Sequence, residues 1–216
     1  MRGKIFLLGI VFLLLSATAN AQIRGGLKVG GNLNFASFEP DVPVGDLSSA
    51  VSFNFGGVLD FDVSKNFGIE VNLLYNNHKA EWDYRGFDPY YGLWFDYDIT
   101  FSMHSLSLPV LAKFKFPSKQ VTPFLGVGPE VGIVLSNKSK VKLTANGLSD
   151  ETTVDLGDET AAVNFAITLV GGVDILLRGV ILSPEIRFSL GLADLDSTTD
   201  GSAKATQLIL LFGVKF

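Results

Sequence analysis

The chain has 216 residues, including 18 Phe, 23 Gly and no Cys, with a formal net charge of -5. The acidic balance, without a basic stripe, argues against a nucleic-acid partner, and the lack of cysteine excludes a disulfide framework, a thiol nucleophile and a thiolate metal site. Hydrophobic residues make up 47% of the chain, yet beyond the N-terminal stretch there is no uncharged run of about 18 residues that could cross a bilayer as a helix.

The N-terminus carries Arg2 and Lys4, then an apolar stretch from Ile5 to Leu15, then the small-residue sequence Ala19-Asn20-Ala21. This layout predicts a signal peptide over residues 1–21, cleaved after Ala21, leaving a single domain over 22–216. From there a period of two recurs. In Gly26 to Phe38, Val29, Leu33 and Phe35 face away from Lys28, Asn32 and Asn34. In Val51 to Val63, Phe53, Phe55, Leu59 and Phe61 oppose Ser52, Asn54, Asp60 and Asp62, and in Phe67 to His78, Ile69, Val71, Leu73 and Tyr75 oppose Glu70, Asn72, Asn76 and His78. Ile99 to Phe116 sets Leu106, Leu108, Val110, Ala112 and Phe114 against Ser105, Ser107, Lys113 and Lys115. Val121 to Leu135, Ala162 to Leu176 and Ile181 to Gly191 repeat the pattern, with Glu130, Asp174, Glu185 and Arg187 on the polar faces. The chain ends on QLILLFGVKF, where Leu208, Leu210, Phe212, Val214 and Phe216 share one face and Gln207, Gly213 and Lys215 the other.

These eight segments are joined by links that are alternately long and short, the pattern of strands running up and down through a membrane. The predicted fold is all-β, an eight-stranded antiparallel up-and-down transmembrane β-barrel in the bacterial outer membrane, with periplasmic termini and long extracellular loops. Large Phe and Leu side chains crowd one face of every strand, while Gly and charged residues collect on the other. A lumen of eight strands is just wide enough for side chains to fill, so the apolar face is expected to meet lipid. Phe61, Phe67, Phe116, Phe124 and Phe216 near short turns, and Phe35, Phe53, Tyr75, Phe101, Phe165 and Phe188 near long links, read as two interfacial girdles. Pro109, Pro123, Pro129 and Pro184 fall in or beside strands and fit a fully paired ladder poorly.

With the strands placed, LSLPVLAKFKF (106–116), VTPFLGVGPEVG (121–132), SPEIRFSLGL (183–192) and the terminal FGVKF resemble the outer membrane protein β-barrel family, porin-like or PorT-like, with a broader likeness of fold to small barrels of the OmpA and OmpX kind. The resemblance spans the mature chain. It implies a small outer-membrane barrel and, for the PorT-type branch, a link to secretion machinery. It also implies that Phe212, Val214 and Phe216 form the terminal signal read by the barrel assembly machinery.

The polar faces bring forward Glu70, Lys113, Lys115, Glu130, Asp174, Glu185 and Arg187 as a lumen cluster. They could line a narrow path or close it by ion pairing, and the width of eight strands favours closure. His78 and His104 lie in no recognisable catalytic motif, so no enzyme activity is expected. The Asp-rich segments near 150–159 and 194–200 lack a spaced ligand motif, so neither a metal nor another cofactor is expected. Lys79 to Asp98, KAEWDYRGFDPYYGLWFDYD, reads as an extracellular aromatic loop carrying Trp82, Tyr84, Phe87, Tyr90, Tyr91, Trp94, Phe95 and Tyr97. Such a mixture suits a recognition surface or interfacial anchoring. Lys138 to Thr144 alternates too, which leaves open whether the next long link adds strands above the membrane. The expected role is structural or surface interaction, with outer-membrane lipid and lipopolysaccharide, the assembly machinery and a surface or secretion-complex protein as partners. The alternatives are a narrow porin-like channel and a PorT-like secretion component.

Overall fold

Strict alternation makes a sheet with one apolar and one polar side, and such a sheet can hide its edges only by closing on itself. In the computed structural model, residues 22–39, 46–49, 51–88, 90, 92–145, 148–156, 162–192 and 202–216 are described. The expected signal peptide over 1–21 lies outside them. The strands are β1 (Gln22–Glu39), β2 (Asp46–Ser49), β3 (Val51–Asp62), β4 (Phe67–Asp88), β5 (Leu93–Lys115), β6 (Val121–Ala145), β7 (Leu148–Asp155), β8 (Val163–Leu177), β9 (Val180–Gly191) and β10 (Ser202–Lys215). Eight of them, β1, β3, β4, β5, β6, β8, β9 and β10, form an antiparallel ring. The ring closes where β10 pairs with β1, from Gly26 opposite Lys215 to Glu39 opposite Ser202. The terminal strand is therefore the last stave of a barrel, and the Phe216 amide still donates to the Gly25 carbonyl at 2.8 Å.

Alternation decides what faces in. Lys28, Asn54, Glu70, Lys113, Ser183, Arg187 and Lys215 are buried, while Leu27, Phe55, Leu73, Leu125 and Leu210 stand exposed on the outside. An apolar exterior of this extent belongs in hydrocarbon. Two of the expected girdle aromatics are not part of that exterior. Phe124 is buried inside, because its neighbours Pro123 and Leu125 take the outward positions. Phe101, paired with Ala80, falls in register on the side that continues the lumen. Phe35's side chain lies outside the described residues. Inward apolar residues also form two patches, Leu74 with Ile209 and Leu211, and Leu111 with Phe124 and Val170.

The ladder accommodates proline by omitting pairs. On the β4 side, pairing with β5 skips the positions facing Leu108 and Pro109; β5–β6 pairing skips Val110 and Leu111, which face Pro129 and Gly128; and β8–β9 pairing skips the positions around Pro184. A strand residue directs its N–H to one neighbour only, so each proline weakens one side of the ladder and leaves the other in register. Pro184 still sits opposite Phe212 of β10.

β4, β5 and β6 contain 22, 23 and 25 residues, about twice what a tilted strand needs to cross a bilayer. Their upper halves continue as a sheet beyond the barrel, edged by β2 on β4 and by β7 on β6. The segment Lys79 to Asp98 is consequently no loop. It is a hairpin paired from Lys79 opposite Ser102 to Asp88 opposite Leu93, because its aromatics keep the period of two and extend the ladder. KSKVKLT is likewise strand, paired with β7. The rising sheet begins at a bulge, where the register shifts between His104 and Ser105 and leaves Leu135 as the extra residue. At the opposite end the turns are tight; Arg178 (φ 48°) and Gly179 (φ 95°) supply the two left-handed positions that a two-residue hairpin between β8 and β9 requires.

Close strand approach makes Gly128 irreplaceable. A Cβ there would sit 1.8 Å from the Val110 carbonyl oxygen, whereas at Gly132 the nearest atom is 3.6 Å away. Gly128→Val is expected to leave most of the protein in the unfolded band of a heat-modifiability gel after refolding into detergent, while Gly132→Ala folds as the parent does.

Candidate functional site in the lumen and above it

The barrel interior brings opposite charges together from strands distant in sequence. Lys28 Nζ lies 2.6 Å from Glu70 Oε1 and 2.9 Å from Glu185 Oε1. Lys113 Nζ lies 2.9 Å from Glu70 Oε2 and 3.4 Å from Asp60. Lys215 Nζ bridges Asp60 and Asp174, both at 2.9 Å, and Arg187 Nη2 reaches Glu70 at 3.0 Å and Glu185 at 2.6 Å. Towards the short-turn end the chain of pairs continues through Lys115 to Asp60 and Asp62, and from Asp62 to Arg24. Phe124 lies beneath the network, with Lys113 Nζ 3.7 Å from its ring centroid, a cation held over the negative face of the ring.

Six of the seven predicted lumen residues, Glu70, Lys113, Lys115, Asp174, Glu185 and Arg187, meet in this network. Glu130 does not. It lies nearer the long-hairpin end and accepts hydrogen bonds from Thr168 Oγ1 (2.5 Å) and Ser189 Oγ (3.4 Å). Lys28, Asp60, Asp62 and Lys215, which the polar faces of their strands already displayed, join them, and Arg24 ends the chain of pairs. The network sets the cations Arg24, Lys28, Lys113, Lys115, Arg187 and Lys215 against the anions Asp60, Asp62, Glu70, Asp174 and Glu185, and the separate Glu130 carboxylate lies in the same lumen. On the short-turn side the network floors an open vestibule of about 440 Å³, and towards the other end lies a polar void of about 20 Å³ among His78, Ser105, Glu130, Asn164 and Gln207.

The two histidines face opposite ways. His78 points inward, with Nδ1 2.9 Å from Asn34 Oδ1 and Nε2 3.0 Å from Ser105 Oγ. That connectivity is the one a serine nucleophile, base and orienting group would share. The void beside it, however, has room for about one water-sized molecule, and an acyl substrate needs far more space. His104 faces outward and lies 2.6 Å from the Tyr75 hydroxyl.

The predicted aromatic set divides between the two faces of the rising hairpin. Trp82, Tyr84, Phe95 and Tyr97 share the side that continues the lumen, with Tyr84 6.3 Å from Trp82 and 6.1 Å from Tyr97 between ring centroids. Phe87 and Trp94 pack together at 5.1 Å on the other side, under the Arg85 guanidinium. Tyr90 is exposed at the tip, and Tyr91 lies outside the described residues. Phe212 and Phe216 are exposed on the barrel exterior, and Val214 shares their face. Among the described residues no group of acidic and histidine side chains is arranged to hold a metal ion.

A ring of eight antiparallel strands with an apolar exterior and a charged, filled interior defines a small membrane barrel. The sequence matches the model of the outer membrane protein beta-barrel domain over residues 18–197, and the chain belongs to that family, which places it in the outer membrane. Several solved structures are similar to the chain at low identity. Neisserial surface protein A is 12% identical, with a TM-score of 0.45, covering 88% of this chain and 95% of its own. OprG from Pseudomonas aeruginosa is 12% identical, with a TM-score of 0.45 and coverage of 90% and 94%. The attachment invasion locus protein Ail of Yersinia pestis is 11% identical, with a TM-score of 0.37 and coverage of 89% and 98%. No curated protein sequence matches the chain.

Removing one member of a buried charge cluster strands its partners. Glu70→Gln leaves Lys28, Lys113 and Arg187 facing one another and is expected to cost about 3–5 kcal/mol in urea unfolding from lipid vesicles. Arg85→Ala, which breaks an exposed pair with Asp96, should cost less than about 1 kcal/mol in the same titration.

Proposed function

We propose that this outer-membrane barrel is sealed by its own side chains and works through the sheet that rises from β4, β5 and β6, as a structural and surface-interaction protein without catalytic or transport activity. The supporting observation is the buried network of ion pairs spanning the lumen. An ion entering would have to displace pairs whose members have no water to fall back on. The tight turns fit the periplasmic side and the long hairpins the cell exterior, as in other barrels of this class. The hairpin's two aromatic faces and exposed Tyr90 offer contact area of the kind that dominates protein recognition.

The competing reading is a narrow channel, and planar-bilayer recording separates the two. The folded barrel should give no stable conductance steps. Steps whose ion selectivity changes in Lys113→Glu would sink the sealed-barrel reading. Because the chain has no cysteine, orientation can be tested with single introduced thiols. Tyr90→Cys should react with a membrane-impermeant maleimide on intact cells, and Lys65→Cys, in the β3–β4 turn, only after the outer membrane is permeabilised.

A further inference from the structure

The exterior face of β4, β5 and β6 changes character in order as the strands leave the barrel. Lowest is the apolar belt, ending on β4 in Tyr75, whose ring centroid lies 6.0 and 5.1 Å from those of Phe53 and Phe55 on the neighbouring β3. One step up, Asn77, His104 and Ser136 lie side by side in register, and the next outward row is Lys79, Ser102 and Lys138. Above these, Lys140 pairs with Glu151 at 2.9 Å, Lys142 with Asp98 at 3.8 Å and Arg85 with Asp96 at 3.2 Å. The higher cations are thus neutralised within the sheet. Among the described residues, neither Lys79 nor Lys138 has a side-chain partner, although Asp155 stands opposite Lys138 in register and Glu81 two residues above Lys79.

His104 adds a donor. Its Nδ1 lies 2.6 Å from the Tyr75 hydroxyl and 3.2 Å from Asn77 Nδ2. Both of those groups can donate, so the hydrogen-bond network assigns the lone pair to Nδ1 and the proton to Nε2. Asn77 is itself buried, only 5% exposed, and its Oδ1 has no hydrogen-bond partner. Lys79 and Lys138 stand two strand spacings apart, about 10 Å, a gap that two extended lysine side chains span around a phosphate group.

We propose that Lys79, Lys138 and the His104 imidazole form a docking site for the phosphate of a phosphorylated lipid headgroup in the outer leaflet. The occupant follows from continuity. A lipid whose acyl chains lie along Phe53, Phe55 and the exposed Leu108 and Leu135 presents its headgroup at the His104 and Lys79 rows, where its phosphate meets two lysines that, unlike Lys140 and Lys142, form no ion pair within the described sheet. Cations just beyond an aromatic belt attract anionic headgroups electrostatically. Assignment to the outer leaflet rests on the orientation proposed above, whereas the site itself does not.

The test is lipid binding to the purified full chain in an uncharged detergent, read by native mass spectrometry with diphosphorylated lipid A as the probe. Retention of lipid A is expected, falling about tenfold when the probe is dephosphorylated and in the Lys79→Gln/Lys138→Gln double variant, and holding in Lys142→Gln. Ser102→Glu, which places a carboxylate between the two lysines, should mimic the double variant. Equal retention of dephosphorylated lipid, undiminished retention in both of those variants, or displacement by inorganic phosphate at the lipid's own concentration would overturn the proposal. Selective capture of an acidic protein in place of lipid would also overturn it. Thiol labelling that reverses the orientation would move the site to the inner leaflet and leave the binding result unchanged.

Discussion

Hydrocarbon offers no partner to an unpaired amide, and each one left there costs several kcal/mol. A sheet that enters a membrane therefore has to pair its last strand with its first, and β10 does so with β1 from Gly26 to Glu39. Ring closure at eight strands then sets the width of the lumen, and that width sets what can occupy it. Inward Gly30 and Gly128 lie where neighbouring carbonyls leave no room for a Cβ, and long charged side chains reach across to fill the space that remains. The prolines of β5, β6 and β9 are tolerated for the same reason, since each one interrupts a single side of a ladder whose other side still closes the ring.

Charges in such a lumen must answer one another. Every ring strand contributes to the central network: Lys28 from β1, Asp60 from β3, Glu70 from β4, Lys113 from β5, Asp174 from β8, Glu185 and Arg187 from β9, Lys215 from β10, and the Phe124 ring from β6. Desolvation makes such a network a modest source of net stability. Its larger effect is on register, because a strand displaced by one residue would turn its charge into lipid and an apolar side chain into the lumen. The same network separates the open vestibule at the short-turn end from the small polar void around His78.

Above the barrel the constraint changes, since water can satisfy a free edge. β2 and β7 need pair on one side only, and the sheet they border can expose charged and aromatic residues to water on both faces. The alternation that separates lipid from lumen below becomes, without a break in β4, a separation between an inner face carrying Trp82 and Tyr84 and an outer face of charged residues that ends in Phe87 and Trp94 near the hairpin tip.

The period of two was sufficient, by itself, to reveal the strands, their number in the ring and which side chains share a face, because in a sheet orientation is a property of sequence parity alone. It also exposed the lumen charges, Lys28, Asp60 and Lys215 included, though nothing local says which of them touch. Parity would likewise have turned Phe124 inward; nearness to a turn was the weaker guide. Only the tertiary structure decided the rest. That Glu70 meets Lys28, Lys113 and Arg187 while Glu130 meets hydroxyls depends on strand register and stagger around the ring. That the aromatic stretch from Lys79 to Asp98 continues as paired strand, and that its aromatics divide between two faces, depends on cross-strand partners lying up to tens of residues away. Local pattern encodes which way a residue points; which residues it meets is settled only when the sheet closes.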